Sequence, residues 1–478
     1  MQIEKRLACE ATVAISIGAV LLAVIVGGTM GFDAGQPSSV TIPFATERTI
    51  SVGGGPIGVV FDPVNNYLYV TLEENTTLLF NMTVINATTN RVVAWIPMSY
   101  GVMTMAVDTR TGYVYTGDAG STIYAVNPIT NRVAWTVPAG CPQGCGPEVQ
   151  TYDPVSDQIF ATDLGNNNLS VVHNATLVTS FSVGSGPNGA TYDSTNQDIY
   201  VANEGSYSLT IVNGSTDRIV GYVKPVYPGP GVTFDESNGD VYVCSNAIQP
   251  GQTNNITAVN GTTNQVVAVI PIKSYCGGAV YDPTNDYLYV TDRGSPSNSS
   301  WLSNVTVVDP ETNRIVLSLP VGLGPIGINY DSANHNVYVA NTYSGTLSVL
   351  PQLFRVTFLE SGLPPGTNWS VALAGRTFST NATSISFPEV NGTYDYSIPA
   401  VNNSTGSPTS GPVMVEGQSR TIGVEFSNSS SHKSTSTFLG LPVWTGYVLA
   451  GGTSAGVLVA IVVAVRRRRK IRPGSSAR

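Results

Sequence analysis

The chain has 478 residues, of which 11% are charged, with 22 basic against 31 acidic side chains. This length allows two or three domains. The abundance of glycine, asparagine, serine, threonine and tyrosine favours short strands joined by tight turns. Between positions 11 and 465 there are 13 basic and 29 acidic residues. An acidic body argues against nucleic-acid binding, so we expect no nucleic-acid partner.

An apolar run from Ala11 to Phe32 follows Lys5 and Arg6 near the N-terminus. Its length permits a membrane span, and the small residues after it permit cleavage by a signal peptidase. Residues 1–33 are therefore predicted to be a signal peptide or an uncleaved N-terminal anchor, and both alternatives stay open.

Seven copies of one sequence motif follow, and GPIGVVFDPVNNYLYVT is the first of them. Each copy has a glycine-rich turn, a short apolar strand that mostly ends in an aromatic residue and Asp, a polar turn and a second strand. Two further strands separate successive copies, so each unit predicts four antiparallel strands in 40 to 49 residues. That is the period of a propeller blade. The strand-end aspartates are Asp62, Asp108, Asp153, Asp193, Asp235, Asp282 and Asp331.

The seventh unit is short, because the chain leaves the repeat at Pro351 before a fourth strand. The segment TERTISVG, residues 46–53, is similar to the fourth strand of the sixth unit, TNRIVLSLPVG, and runs directly into the first Gly-Pro turn. We therefore predict that the N-terminal strand completes the seventh blade, since closing the ring removes free sheet edges. The predicted seven-bladed β-propeller spans residues 46–351.

These repeats resemble the YVTN family of β-propeller repeats, which occurs in bacterial periplasmic proteins and archaeal surface-layer proteins. The resemblance covers residues 46–351. It implies the propeller fold, and it implies no reaction, because that family has no common active-site motif.

A different pattern occupies residues 352–428, where apolar and polar residues alternate around ESGLPPGTNW and NGTYDY. The alternation predicts six or seven short strands and hence a small Ig-like β-sandwich. The stretch resembles modules of surface proteins from acidophilic archaea. The predicted fold class is therefore all-β, a propeller followed by a sandwich.

A Ser/Thr-rich stalk, residues 429–437, leads into an uncharged apolar run at residues 438–465. Five consecutive basic residues begin at Arg466, an arrangement typical of a stop-transfer signal. We predict a C-terminal transmembrane helix in the cell membrane, a basic cytoplasmic tail at residues 466–478 and an extracellular ectodomain. Sixteen Asn-x-Ser/Thr sequons all lie in that predicted ectodomain, which fits a glycoprotein.

Four cysteines lie in the predicted ectodomain, and an even number in an oxidising compartment favours two disulfides. We expect Cys141 to pair with Cys145 inside one loop, and Cys244 to pair with Cys276 on one face of the disc. Four free thiols are the alternative. A metal site at the first pair is not favoured, because no histidine lies near it.

The strand-end aspartates recur in every repeat, and we interpret them as caps of the turns that follow. A second set ends the second strands, on the face that carries the Gly-Pro turns: Asp118, Asp163, Asn203, Asp292 and Asn341. This set predicts either a polar-ligand or cation site at the channel mouth or a further series of turn caps. Arg293 and Trp301, in the longest loop of that face, are candidate binding anchors, and packing of Trp301 against a neighbouring blade is the alternative.

The three histidines, His173, His335 and His432, fall in separate parts of the predicted fold. We therefore expect no catalytic residues, no histidine-ligated metal and no cofactor. The leading hypothesis is a non-enzymatic, membrane-anchored surface protein that binds a glycan, a peptide or a neighbouring surface protein, or that serves as an envelope component. The alternative is a propeller lactonase- or lyase-like hydrolase with a divalent cation at the channel mouth.

Overall fold

The structure is a computed structural model that describes residues 48–73, 80–98, 102–118, 120–140, 146–224, 226–246, 253–294 and 304–428. These ranges contain 36 strands, and they contain no helix that is long and apolar enough to cross a membrane. Both predicted apolar spans, the stalk and the basic tail lie outside the described residues.

The first strand is β1 (Arg48–Ser51), and four hairpin-connected sheets follow it, each with its strands in sequence order. Blade one contains β2 (Gly55–Asp62), β3 (Tyr67–Glu73), β4 (Phe80–Asn86) and β5 (Arg91–Met98). Blade two contains β6 (Val102–Val107), β7 (Val114–Asp118), β8 (Thr122–Asn127) and β9 (Arg132–Pro138). Blade three contains β10 (Pro147–Asp153), β11 (Gln158–Asp163), β12 (Asn168–His173) and β13 (Thr176–Ser182). Blade four contains β14 (Pro187–Asp193), β15 (Asp198–Asn203), β16 (Ser208–Asn213) and β17 (Arg218–Val223).

Two more complete blades and a composite one finish the propeller. Blade five contains β18 (Pro228–Asp235), β19 (Asp240–Ser245), β20 (Asn255–Asn260) and β21 (Gln265–Pro271). Blade six contains β22 (Cys276–Asp282), β23 (Tyr287–Asp292), β24 (Asn304–Asp309) and β25 (Arg314–Pro320). Blade seven contains β26 (Pro325–Tyr330), β27 (Val337–Asn341), β28 (Thr346–Leu350) and, as its outer strand, β1.

The predicted closure by the N-terminal strand is confirmed. Strand β1 pairs antiparallel with β28, with Ile50 opposite Leu347, so both ends of the repeat meet in one sheet. The first strand of each blade neighbours the first strand of the next, and β26 neighbours β2, which closes a ring of seven. These inner strands approach closely: a Cβ on Gly327 would lie 2.3 Å from the carbonyl oxygen of Ile57, so only glycine fits there.

Apolar side chains of the second and third strands fill the space between neighbouring blades. Leu68 and Val70 of blade one, for example, share a buried cluster with Tyr338 and Leu347 of blade seven. Full burial of one such aliphatic side chain contributes roughly 1.5–3 kcal/mol. The alternating pattern of each repeat therefore stabilises the ring as a whole, because a single blade has no core of its own.

The second module is a sandwich of two four-stranded sheets, with the strand orders β32-β29-β36-β34 and β31-β30-β33-β35. Its strands are β29 (Phe354–Ser361), β30 (Trp369–Leu373), β31 (Arg376–Thr380), β32 (Ser384–Glu389), β33 (Gly392–Ser397), β34 (Ser404–Ser407), β35 (Ser410–Val415) and β36 (Arg420–Asn428). Phe358, Trp369 and Phe387 are buried between the sheets. The sandwich has eight strands rather than the predicted six or seven, because the sequence of β34, STGS, carries no apolar alternation.

Candidate functional site

The two ends of the propeller differ in the connections that they carry. We name the loop face the end where first strands begin and second strands end; Pro187 and Asn203, which pair directly, mark it in blade four. We name the turn face the opposite end, which carries the turns after the first strands, such as residues 194–197. The hairpins between third and fourth strands also lie on the turn face.

The strand-end aspartates cap turns on the turn face, as the sequence predicts. In all seven blades the carboxylate Oδ1 accepts a hydrogen bond from the backbone N–H two residues later; the distance from Asp62 to Val64 is 2.9 Å. Burial raises the pKa of Asp62 to about 6. The other oxygen is buried and accepts no hydrogen bond from the described residues at four of the seven positions: Asp62, Asp193, Asp235 and Asp331.

The second set, at the ends of the second strands, is buried inside the blades. Each member holds a hydroxyl group of the third strand of its own blade; Asp163, for instance, accepts a hydrogen bond of 2.7 Å from Ser170. The corresponding pairs are Asp118 with Tyr124, Asn203 with Thr210, Asp292 with Thr306, and Asn341 with Ser348. These contacts tie the end of each second strand to the third strand of the same blade. Asp118 also caps its turn, by accepting hydrogen bonds from the backbone N–H groups of Gly120 and Thr122.

No carboxylate cluster forms among these groups. Within the described ranges there is no group of three or more His, Cys, Asp or Glu side chains that could hold a metal ion. Burial raises the pKa values of Asp163 and Asp292 to about 6. Each carboxylate is therefore a buried group of its own blade, and the channel-mouth cation site has no ligand set in this part of the chain.

The two histidines of the described ranges lie on separate blades. His173 ends β12, and its Nδ1 lies 2.6 Å from the carbonyl oxygen of Asp157. His335 lies in the first turn of blade seven, where its Nδ1 is 2.7 Å from the hydroxyl of Tyr330. His432 falls outside the described residues.

The loop face is cross-linked between blades five and six. Cys244 and Cys276 form a disulfide, the pairing expected from the sequence. The side chain of Asn246 accepts a hydrogen bond from the N–H of Cys276 and donates one to its carbonyl oxygen, at 3.0 and 3.2 Å. Arg293 is half-buried, and its backbone N–H donates to the carbonyl oxygen of Tyr275. Trp301, Cys141 and Cys145 lie outside the described residues.

Exposed tyrosines also lie on the loop face. Tyr343 is 52% exposed, and its ring lies over Gly324, where an added Cβ would be 2.2 Å from the ring. Tyr227 is 38% exposed, and its ring centroid lies 5.3 Å from that of Tyr207. Their sequence signal is weak, because tyrosine is common in the strands of every repeat.

The sandwich packs against the turn face at blade six through Arg355 and through the apolar side chains of Phe378 and Val390. The guanidinium forms an ion pair with the buried Asp309 at 3.1 Å and donates to the carbonyl oxygens of Asn285 and Asp286. It also lies over the ring of Tyr287, at 4.4 Å from the centroid. These contacts fix the sandwich on the side of the propeller that faces away from the loop face.

Solved structures of β-propeller proteins are similar to this chain. Hydrazine synthase of Kuenenia stuttgartiensis matches with a TM-score of 0.53 and 16% identity, over 67% of this chain and 99% of that one. A streptogramin B lyase matches with 0.52 and 13%, over 64% and 96%. A chain of the mitotic checkpoint complex matches with 0.52 and 11%, over 70% and 98%. At these identities the likeness shows the propeller fold alone. No family model and no curated protein sequence matches the chain.

Proposed function

We propose that this protein is a membrane-anchored surface protein whose propeller binds a glycan, a peptide or a neighbouring surface protein through its loop face. The observation that carries the proposal is the position of the sandwich. Arg355 and Asp309 hold the sandwich at the turn face, and the sandwich leads toward the predicted stalk and transmembrane helix. The sandwich therefore occupies the turn face at blade six, and the loop face lies at the other end of the disc.

The chemistry of the loop face supports a binding role. Its connections differ from blade to blade, as in LEENTT, LGNNN, NEGSYS and NTYSG, whereas the turn-face connections are short and uniform. Variable loops on a rigid framework are where binding residues commonly collect. The disulfide and the two hydrogen bonds of Asn246 cross-link blades five and six at this face, and a preorganised surface lowers the entropic cost of binding.

The test compares two faces in the full-length chain. Tyr343→Ala removes an exposed ring from the loop face, and Ile129→Ala removes an apolar side chain that is 89% exposed in an outer hairpin of the turn face. Each purified protein is measured for binding to envelopes prepared from host cells that lack the protein. We expect Tyr343→Ala to weaken binding and Ile129→Ala to leave it unchanged. Equal binding by all three proteins, or a loss only with Ile129→Ala, would overturn the proposal.

A further inference from the structure

Three loop-face connections have the same length, which allows a position-by-position comparison. Residues 164–167 of blade three, 204–207 of blade four and 342–345 of blade seven each join a second strand to a third strand by four residues. The last residue of each has a left-handed backbone: φ is 63° at Asn167, 52° at Tyr207 and 65° at Gly345. In each blade the carbonyl oxygen of that residue accepts a hydrogen bond from a valine that leads toward the next blade, namely Val183, Val226 and Val52.

Tyr207 is the unexpected residue in this comparison. Glycine adopts a left-handed backbone freely, and asparagine tolerates it, whereas a tyrosine there is strained. The backbone of blade four makes the same hydrogen bond as its two counterparts, so the turn itself does not require a tyrosine. Backbone strain is present in only one of the three equivalent turns, at Tyr207. We take this as a sign that the tyrosine side chain has a role of its own.

The side chain of Tyr207 contributes to an aromatic surface between blades four and five. Its ring lies beside the ring of Tyr227 at an interplanar angle of 51°, and Tyr227 is partly exposed on the loop face. In the same connection the carboxylate of Glu204 accepts a hydrogen bond of 3.0 Å from the side chain of Asn188. That bond orients a half-buried acceptor three residues before Tyr207.

We propose that Tyr207 and Tyr227 form a carbohydrate-binding subsite, in which a sugar ring stacks on the tyrosines and its hydroxyl groups donate to Glu204. The inference rests on the proposed function and names the ligand class of the same face. Tyrosine presents an apolar ring face beside a polar hydroxyl, which suits the C–H face and the hydroxyl rim of a pyranose. A carboxylate held by a neighbouring amide supplies the directional acceptor that fixes the orientation of such a ligand.

The equivalent position in blade three, Asn167, suggests the variant to test. Tyr207→Asn installs the residue of blade three, removes the ring and relieves the backbone strain. The full-length protein, in a detergent without a sugar headgroup, is titrated with gluco-, manno- and galacto-oligosaccharides, and its thermal unfolding is recorded. We expect the wild-type chain to bind at least one series. We expect Tyr207→Asn to bind it about tenfold or more weakly, with an equal or higher melting temperature, and Tyr207→Phe to retain binding.

Each other outcome overturns the inference. A clearly lower melting temperature of Tyr207→Asn, with unchanged sugar affinity, would make the ring a packing element. A wild-type chain that binds host envelopes through Tyr343 but binds none of the sugars would exclude the carbohydrate subsite and leave the proposed function standing. A chain that binds neither envelopes nor sugars would overturn both.

Discussion

The hydroxyl group of Tyr338 in blade seven donates a hydrogen bond of 2.9 Å to the side-chain oxygen of Asn90 in the outer hairpin of blade one. The two residues are 248 positions apart. Equivalent tyrosine–asparagine hydrogen bonds join other neighbouring blades: Tyr69 with Asn131, Tyr200 with Asn264, and Tyr242 with Asn313. These asparagines have left-handed backbones in their turns. Each one also accepts a hydrogen bond from the tyrosine of the preceding blade.

We expect Tyr338→Phe to lower the free energy of unfolding by about 1 kcal/mol or more, because the hydroxyl donates to Asn90 and accepts from Asn334. The substitution keeps the ring in its buried cluster and removes only the hydroxyl. Denaturant unfolding measures the loss. Tyr222→Phe is the control, because that side chain is exposed on an outer strand. Equal stability of both variants would show that the tie between blades seven and one contributes nothing.

Closure of the ring by β1 is tested with two neighbouring residues. Ile50 is buried and Thr49 is exposed. We expect Ile50→Asp to destabilise the propeller by about 3 kcal/mol, because it places an unpaired charge in the core, and to promote aggregation through the edge of β28 that it leaves open. Thr49→Asp should leave the melting temperature unchanged. Identical melting curves for the two variants would contradict a structural role for this strand.

The stability of the protein should increase on mild acidification. The pKa values of Asp62, Asp163 and Asp292 lie near 6 because these groups are buried, above the value of 3.8 for a free side chain. The folded protein therefore binds more protons than the unfolded chain between about pH 4 and pH 6, so stability falls as the pH rises through that window. Each group changes the free energy of unfolding by between about 1 and 3 kcal/mol across this window. Asp108 behaves in the opposite way. Burial alone would raise its pKa, but hydrogen bonds from Thr111 and Arg110 outweigh burial and lower the pKa. The stability that Asp108 contributes to the fold is therefore lost in stronger acid.

Asp163→Asn isolates one of these groups. Asn203 and Asn341 occupy the same position in other blades and hold the same kind of hydroxyl. We expect the variant to be more stable than the wild type at pH 7 and to show a weaker increase in stability from pH 6 to pH 4. Unfolding by urea at each pH measures both. A wild-type chain that loses stability steadily from pH 6 to pH 4 would contradict the assignment.

Docking of the sandwich depends on Arg355. We expect Arg355→Ala to cost roughly 3 kcal/mol at the interface, because it leaves the buried carboxylate of Asp309 without its partner. The sandwich should then unfold separately from the propeller, as a second calorimetric transition. Arg314→Ala is the control, since that exposed side chain makes a single hydrogen bond to the carbonyl oxygen of Ser379 in the sandwich. A single transition at the wild-type temperature for Arg355→Ala would exclude this role.

The strand-end aspartates and the closure by residues 46–53 follow from the repeat, because copies at one position share one environment. The pairing of Cys244 with Cys276 follows from the even number of cysteines and from their expected positions on one face of the disc. The repeat leaves Asp163 ambiguous, since a residue at the end of a strand can face solvent or the blade interior. The contact of Arg355 with Asp309 depends on how two modules meet, and the strain at Tyr207 depends on a backbone angle. Neither leaves a pattern in the chain.

The claim that the loop face is the binding face is tested most directly by hydrogen–deuterium exchange of the full-length protein, with and without host-cell envelopes. The amides of the loop-face connections at residues 164–167, 204–207 and 342–345 are monitored together with those of the turn-face connections at residues 63–66, 154–157 and 194–197. The account predicts slower exchange in the first group and no change in the second when envelopes are present. Protection confined to the turn-face connections, or no protection at either face, would contradict it.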